Sequence, residues 1–244
     1  MKILIAFLFS ISIFAQTKAL DVKIDAITTD DSNPKQRTFT ISYHIENLTD
    51  SEISFFLRPN SLIANAVSSL TLFPIYKIYQ NDRFTTLDGP FFERVGNEDW
   101  EKYRELTDKN SEEAQQLIQK ITTEYEAQKK IILDNYRKNG GKTEDELWIL
   151  RNHNLLQTKI NLNPKETKSF AIKTNWNKER YFLQDDLEYY LDEKDKYQFE
   201  LTLHLIKTHF RDRLSPEEFD KIEKDENFIE GIFTSNKVDL NFSN

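Results

Sequence analysis

Alternating hydrophobic and polar residues near both ends of the chain predict half-buried β-strands. At 38–47 and 197–205, apolar side chains occupy every second position, which is the period of a strand with one buried face. Shorter apolar runs predict further strands at 21–29, 53–57, 70–79, 158–162, 167–173 and 238–242. Pro74 limits the strand at 70–79 to a sheet edge or a bulge, because proline cannot donate a ladder hydrogen bond.

The middle of the chain has helical spacing instead. Apolar residues recur every three or four positions in 97–106 and 111–139, among many charged residues. Gly140-Gly141 supplies the left-handed cap that ends a helix, and Thr143 begins a capping-box pattern for the next helix. Two helices joined at the glycine pair predict an αα-hairpin. Ser215-Pro216 marks the start of one more short helix.

Strands on both sides of the helices indicate one domain with an insertion rather than two domains. The last strands need partners, and the long alternating strands that could pair with them precede the helices. We therefore predict a mainly β fold with an α insertion, namely an antiparallel β-sandwich interrupted by an αα-hairpin. Residues 20–96 and 158–244 would form the two parts of the sandwich, and 97–157 the helical insertion.

Three segments resemble immunoglobulin-like domains of bacteria. Residues 41–51 (Ile-Ser-Tyr-His-Ile-Glu-Asn-Leu-Thr-Asp-Ser) resemble a strand and turn of those domains, and 162–170 (Leu-Asn-Pro-Lys-Glu-Thr-Lys-Ser-Phe) resemble Leu-x-Pro-Gly-Glu-x-x-x-Phe. Lys165 stands where glycine is usual. Residues 195–199 are similar to a tyrosine-corner strand. The pattern is closest to small sandwich domains of the intracellular proteinase inhibitor type, which implies an immunoglobulin-like fold and, as an activity, protease inhibition. The helical insertion has no counterpart in this resemblance.

Residues 1–19 have the three-part pattern of a signal peptide. Lys2 is followed by an apolar run at 3–14, and small residues stand at Ala15 and Ala19. A helix of that run is about 18 Å long, short of the roughly 30 Å of a hydrocarbon core. We predict cleavage after Ala15 or Ala19, export to the periplasm or the medium, and no transmembrane segment in the mature chain.

Composition narrows the classes of function. A net charge of −8 disfavours nucleic acid as a partner. The absence of cysteine excludes thiolate zinc sites and cysteine nucleophiles, and 5 glycines form no phosphate loop or nucleophile elbow. The four histidines and the acidic runs at 30–33 and 185–188 lack the spacing of metal ligands. We therefore predict neither a cofactor nor a metal, and no catalytic residue is assigned.

An aromatic segment is the candidate binding site. It lies between two predicted strands, where a loop is expected, and exposed aromatic side chains on loops bind sugars or peptides. Its residues are Trp176, Tyr181, Phe182, Tyr189 and Tyr190. Alternatively, Leu183, Leu187 and Leu191 join them in a short amphipathic helix that covers one end of the sandwich.

The leading hypothesis is a non-enzymatic binding or assembly module of the bacterial cell envelope, with a protein or glycan partner. It depends on the sandwich scaffold, the predicted export and the lack of a recognisable catalytic constellation. Two alternatives remain open: an exported carbohydrate-active hydrolase that uses paired carboxylates in a cleft, and a proteinase inhibitor that uses an exposed loop.

Overall fold

The computed structural model describes residues 18–65, 72–85, 92–94, 97–178 and 195–242, with the backbone alone at 93 and 94. Its strands are β1 (Leu20–Asp30), β2 (Gln36–Asn47), β3 (Ile53–Phe56), β4 (Ile63–Ala64), β5 (Ile75–Gln80), β6 (Arg83–Thr85), β7 (Glu93–Arg94), β8 (Lys159–Leu162), β9 (Thr167–Asn177), β10 (Tyr197–Leu205), β11 (Gly231–Thr234) and β12 (Val238–Leu240). Its helices are α1 (Glu98–Glu105), α2 (Glu112–Lys138), α3 (Glu146–Leu156) and α4 (Pro216–Lys224), with a 3-10 helix at Lys207–Arg213. The predicted signal peptide lies outside these residues except for Lys18 and Ala19.

One sheet joins strands from both sides of the helices. Its order is β1-β2-β9-β7, and β2 pairs antiparallel with β9 from Gln36↔Asn177 to Glu46↔Thr167. The strict alternation of β2 appears as alternating buried and half-buried residues along its whole length. The sequence-distant pairing that the hydrophobic pattern predicts is therefore present.

The second sheet also pairs strands that precede the helices with strands that follow them. Its order is β11-β10-β5-β4, with β12 on β10 and β6 on β5, and β5 pairs antiparallel with β10. A separate pair, β3 with β8, also links residues before and after the helices. The strand expected at 70–79 begins at Ile75, directly after Pro74. Proline lacks the N–H that the ladder needs, although its carbonyl still accepts from the Ile63 N–H at 3.1 Å.

Side chains of both sheets meet in one hydrophobic core. Phe39 and Ile41 of the first sheet and Phe199 and Leu201 of the second are all inaccessible to solvent within it. The molecule is thus mainly β with helices, and residues from the two ends of the chain share the core.

Asn47 fastens the end of β2 to the turn between β8 and β9. Its side-chain amide donates to the carbonyls of Ser51, Leu162 and Asn163 at 2.8, 3.2 and 2.8 Å. Its Oδ1 accepts from the Thr49 N–H and hydroxyl at 2.9 and 2.7 Å. Because Asn47 is completely buried, these contacts satisfy groups that water cannot reach.

Lys165 occupies the glycine-like position of that turn. Its φ is +59°, Pro164 precedes it, and the Glu166 N–H donates to the Asn163 carbonyl at 3.0 Å. These are features of a type II turn, whose third residue favours glycine. The lysine keeps the turn of the resembling motif, and its ammonium contacts the Leu48 carbonyl at 2.7 Å and Asp50 at 3.0 Å.

The helices begin and end close to the predicted positions, with one correction. Ser215 caps α4 through a complete capping box, and Gly140 is left-handed after α2. Helix α3, however, is capped by Asp145 and not by Thr143. The Thr143 hydroxyl accepts from the Asp145 N–H at 3.2 Å, which leaves the Asp145 carboxylate to accept from the Trp148 N–H at 3.0 Å.

Helix α3 is attached to the body of the molecule by a second, smaller core. Leu155 packs with Phe56, Phe210, Leu214 and Phe219, among others. The buried Asn152 amide donates to the Arg213 carbonyl and to Glu218, both at 3.0 Å. Helix α3 therefore contributes to the packing of the strands and of α4.

We predict that Lys165→Gly is more stable than Lys165→Ala by about 1 kcal/mol in urea unfolding. Both variants lose the same lysine contacts, but only alanine carries a Cβ into the left-handed region. The same pair of substitutions at exposed Lys173 in β9 should reverse the order, since glycine weakens a strand. An alanine variant at 165 as stable as the glycine variant would contradict the turn assignment.

A matched pair of leucines in α3 tests its attachment. Leu155 is 1% exposed and Leu147 is 56% exposed. Leu155→Ala should lower the free energy of unfolding by about 3 kcal/mol through lost burial and a cavity, whereas Leu147→Ala should change it by less than about 0.5 kcal/mol. Equal effects of the two substitutions would show that α3 is not packed as described.

Candidate functional site

Of the predicted aromatic site, Trp176 is the residue that the structure describes. It lies near the end of β9, 8% exposed, in the main core. Its ring meets Phe242 edge-on at 5.3 Å, so most of its surface is used in packing. Tyr181, Phe182, Tyr189 and Tyr190 lie outside the described residues. A binding role for this segment therefore stays a prediction.

A groove of about 570 Å³ lies at the same end of the molecule as Trp176. Asp82, Asp195 and Asp239 line it together with Phe242. Amide hydrogen bonds to Asp195 from Asn81, at 2.8 Å, and from Gln80 hold the pKa of this carboxyl below its usual range. A general acid for glycoside hydrolysis needs the opposite shift.

The acidic side chains of residues 30–33 form turn hydrogen bonds and ion pairs. Asp31 contacts the buried Arg37 guanidinium at 2.8 Å and Lys178 at 2.6 Å, and the Arg37 hydrogen bond in particular holds the pKa of Asp31 below its usual value. Asp30 accepts from the Ser32 N–H at 2.8 Å. Within the described ranges, no three His, Asp or Glu side chains are grouped so that they could hold a metal ion.

Two of the histidines lie on strands. His44 contacts Asp25 at 2.7 Å. His204, on β10, has a pKa lowered by burial and by nearby Lys77, so it favours the neutral form. Neither arrangement brings a nucleophile and a base together.

Helices α1 and α2 form a surface that the sequence analysis did not single out; we call them the arm. At 1.5 Å per residue, the 27 residues of α2 span about 40 Å and the 8 residues of α1 about 12 Å. Asp99 near the start of α1 contacts Lys120 at 2.7 Å, and Glu146 at the start of α3 contacts Lys129 at 2.9 Å. The turns of α2 between these contacts are uncovered, and every residue from 122 to 128 is exposed.

Two aromatic residues are exposed on the arm. Tyr125, at the centre of the apolar stripe of α2, is 56% exposed, and Trp100 on α1 is 44% exposed. The helical spacing of apolar residues places both on an apolar face. Periodicity alone does not show whether another element covers that face. The sequence contained one indication that part of α2 is exposed, namely its length: α2 is longer than α1 and α3 together.

Comparison with protein-family models, with curated proteins and with solved structures found no match to this chain. In the part of the chain that the structure describes, no helix is long and apolar enough to cross a membrane.

Proposed function

We propose that this chain is a non-enzymatic binding or assembly module of the bacterial cell envelope, and that a partner protein binds to the arm. The observation that carries this proposal is the uncovered middle of α2, where the large aromatic side chain of Tyr125 is exposed to solvent on the apolar stripe of the helix. Exposed aromatic residues of this kind are typical anchors of protein interfaces.

We further propose that the two sheets form an immunoglobulin-like antiparallel β-sandwich, similar to the domains of the intracellular proteinase inhibitor type. We also propose that α2 and α3 form an αα-hairpin within an insertion. The shared core of the two sheets and the order β1-β2-β9 support the sandwich. The contacts of α2 with α3 around the glycine pair, including Tyr136 against Trp148 at 6.3 Å, support the hairpin.

The two alternatives have less support. A carbohydrate-active hydrolase would use the groove carboxylates, but its general acid needs a raised pKa, and the pKa of Asp195 is lowered by its amide hydrogen bonds. For a proteinase inhibitor the required feature is a projecting loop, whereas the extended element that supports our proposal is a helix.

Site-specific photo-crosslinking in cells tests the proposed function. A photoreactive phenylalanine analogue at position 125 should give a discrete crosslinked product with an envelope protein, because Tyr125 would lie in the interface. The matched control is the same analogue at Ser169, an exposed residue of β9, which should give no product.

The same material tests export. Protein from the periplasm or the medium should begin at Gln16 or Leu20, after removal of the signal peptide. Full-length protein found in the cytoplasm would contradict export, and the absence of a product at 125, or equal products at 125 and 169, would contradict binding through the arm.

A further inference from the structure

The first part of the arm carries most of the net charge of the molecule. Residues 97–128 contain nine Asp and Glu against four Lys and Arg, a net charge of −5 out of −8 for the whole chain. Thirty-two of the 244 residues thus hold more than half of the net negative charge. A surface of one sign attracts partners of the opposite sign and raises their rate of association.

The cations of this region are already engaged within the arm. Lys102 pairs with Glu98 at 2.7 Å, Arg104 with Glu101, and Lys120 with Asp99 at 2.7 Å. The ammonium of Lys109 contacts the last carbonyls of α1. The four basic residues of 97–128 therefore leave an excess of carboxylates in the first part of the arm. The rest of α2, residues 129–138, has four basic residues against one acidic residue, so the excess is confined to this first part.

The exposed aromatic rings lie among these carboxylates. Glu124 and Glu126 flank Tyr125 in sequence. Neither forms a close ion pair among the described residues, and the lysines that act on them electrostatically, Lys120 and Lys129, are themselves paired with Asp99 and Glu146. Trp100 lies between Asp99 and Glu101 and meets Tyr103 edge-on at 5.9 Å. The Asp99–Lys120 contact brings the start of α1 beside α2, and Tyr125 is five residues further along, a rise of about 7.5 Å. An aromatic face beside carboxylates matches a lysine or arginine side chain, through cation–π attraction and an ion pair.

Contacts of this kind between a cation and an aromatic ring already occur within the chain, and one of them is on the arm. The Lys109 ammonium lies 4.7 Å from the centre of the Tyr103 ring, on the same arm. Trp100 and Tyr125 offer comparable rings to cations from outside.

We propose that the arm binds a lysine- or arginine-rich segment of a partner protein, with Trp100 and Tyr125 contacting its side chains and Glu124 and Glu126 pairing with its charges. This inference rests on the proposed function and specifies the chemistry of the partner. A neutral apolar segment would gain nothing from the excess carboxylates, and an acidic one would be repelled.

Binding of a fluorescently labelled octa-arginine peptide to the mature chain, followed by anisotropy, tests this proposal. Glu124→Gln with Glu126→Gln should raise the Kd about fivefold, since each exposed ion pair contributes modestly. Trp100→Ala with Tyr125→Ala should raise it about fivefold to tenfold, and a labelled octa-glutamate peptide should not bind. Unchanged circular dichroism and thermal midpoint would show that the variants remain folded.

The matched control removes the same charge from the body of the molecule. Glu52→Gln with Glu226→Gln, both exposed residues, should leave the Kd within about twofold, because the two residues lie away from the arm. An equal rise in the Kd of this control variant would show that binding depends only on the overall charge of the molecule, and would overturn the proposal. Binding that is unaffected by loss of the aromatic rings, or absent in wild type, would do the same.

Failure of this inference can be distinguished from failure of the proposed function. A crosslinked product at position 125 whose attached partner segment lacks lysine and arginine would contradict the basic partner and leave the binding module intact. Absence of any product at 125 would contradict both.

Discussion

The pairing of β2 with β9 is the constraint on which the rest of the structure depends. These strands are separated in sequence by all of α1, α2 and α3, yet they pair over eleven residues. A shift of one residue in this register would turn Phe39, Ile41 and Tyr43 out of the core. The alternation in β2, together with the Asn47 clamp at its end, therefore fixes how the two parts of the chain meet. A large excursion between them is tolerated because the entropy of loop closure grows slowly with length.

Regular periodicity made the strands predictable, and local chemistry made several boundaries predictable. Alternation located β2 and β10, and Ser215 with Pro216 located the start of α4. The elements and boundaries that could not be predicted depend on interactions that a sequence pattern does not report. The 3-10 helix at Lys207–Arg213 and the short strand β11 lack a distinctive period, and the cap of α3 depends on competition between neighbouring Thr143 and Asp145.

The same limit applies to the candidate sites. Trp176 looked like a loop aromatic because many polar residues follow it, but it is the last inward-facing aromatic residue of β9 and packs on Phe242. Tyr125 lies on the apolar stripe of α2, but the neighbouring helices α1 and α3 are short and leave it exposed. Whether an apolar position is covered depends on the lengths of the neighbouring elements, which is tertiary information. The first part of the arm, 97–128, combines the exposed rings of Trp100 and Tyr125 with a net charge of −5, and for that reason we propose the binding role for it.

Replacing 97–142 with a flexible Gly/Ser linker tests most directly whether the strands before and after the helices form one cooperative core. This change removes α1 and α2 but keeps α3 and its packing through Leu155. The contacts of Asp99 and Glu146 with α2 are nine residues apart, about 14 Å, and a linker of about 12 residues has a root-mean-square span of about 19 Å. Urea unfolding followed by fluorescence and circular dichroism should give a single transition with coincident curves. Two separate transitions, or a chain without cooperative unfolding, would contradict the shared core.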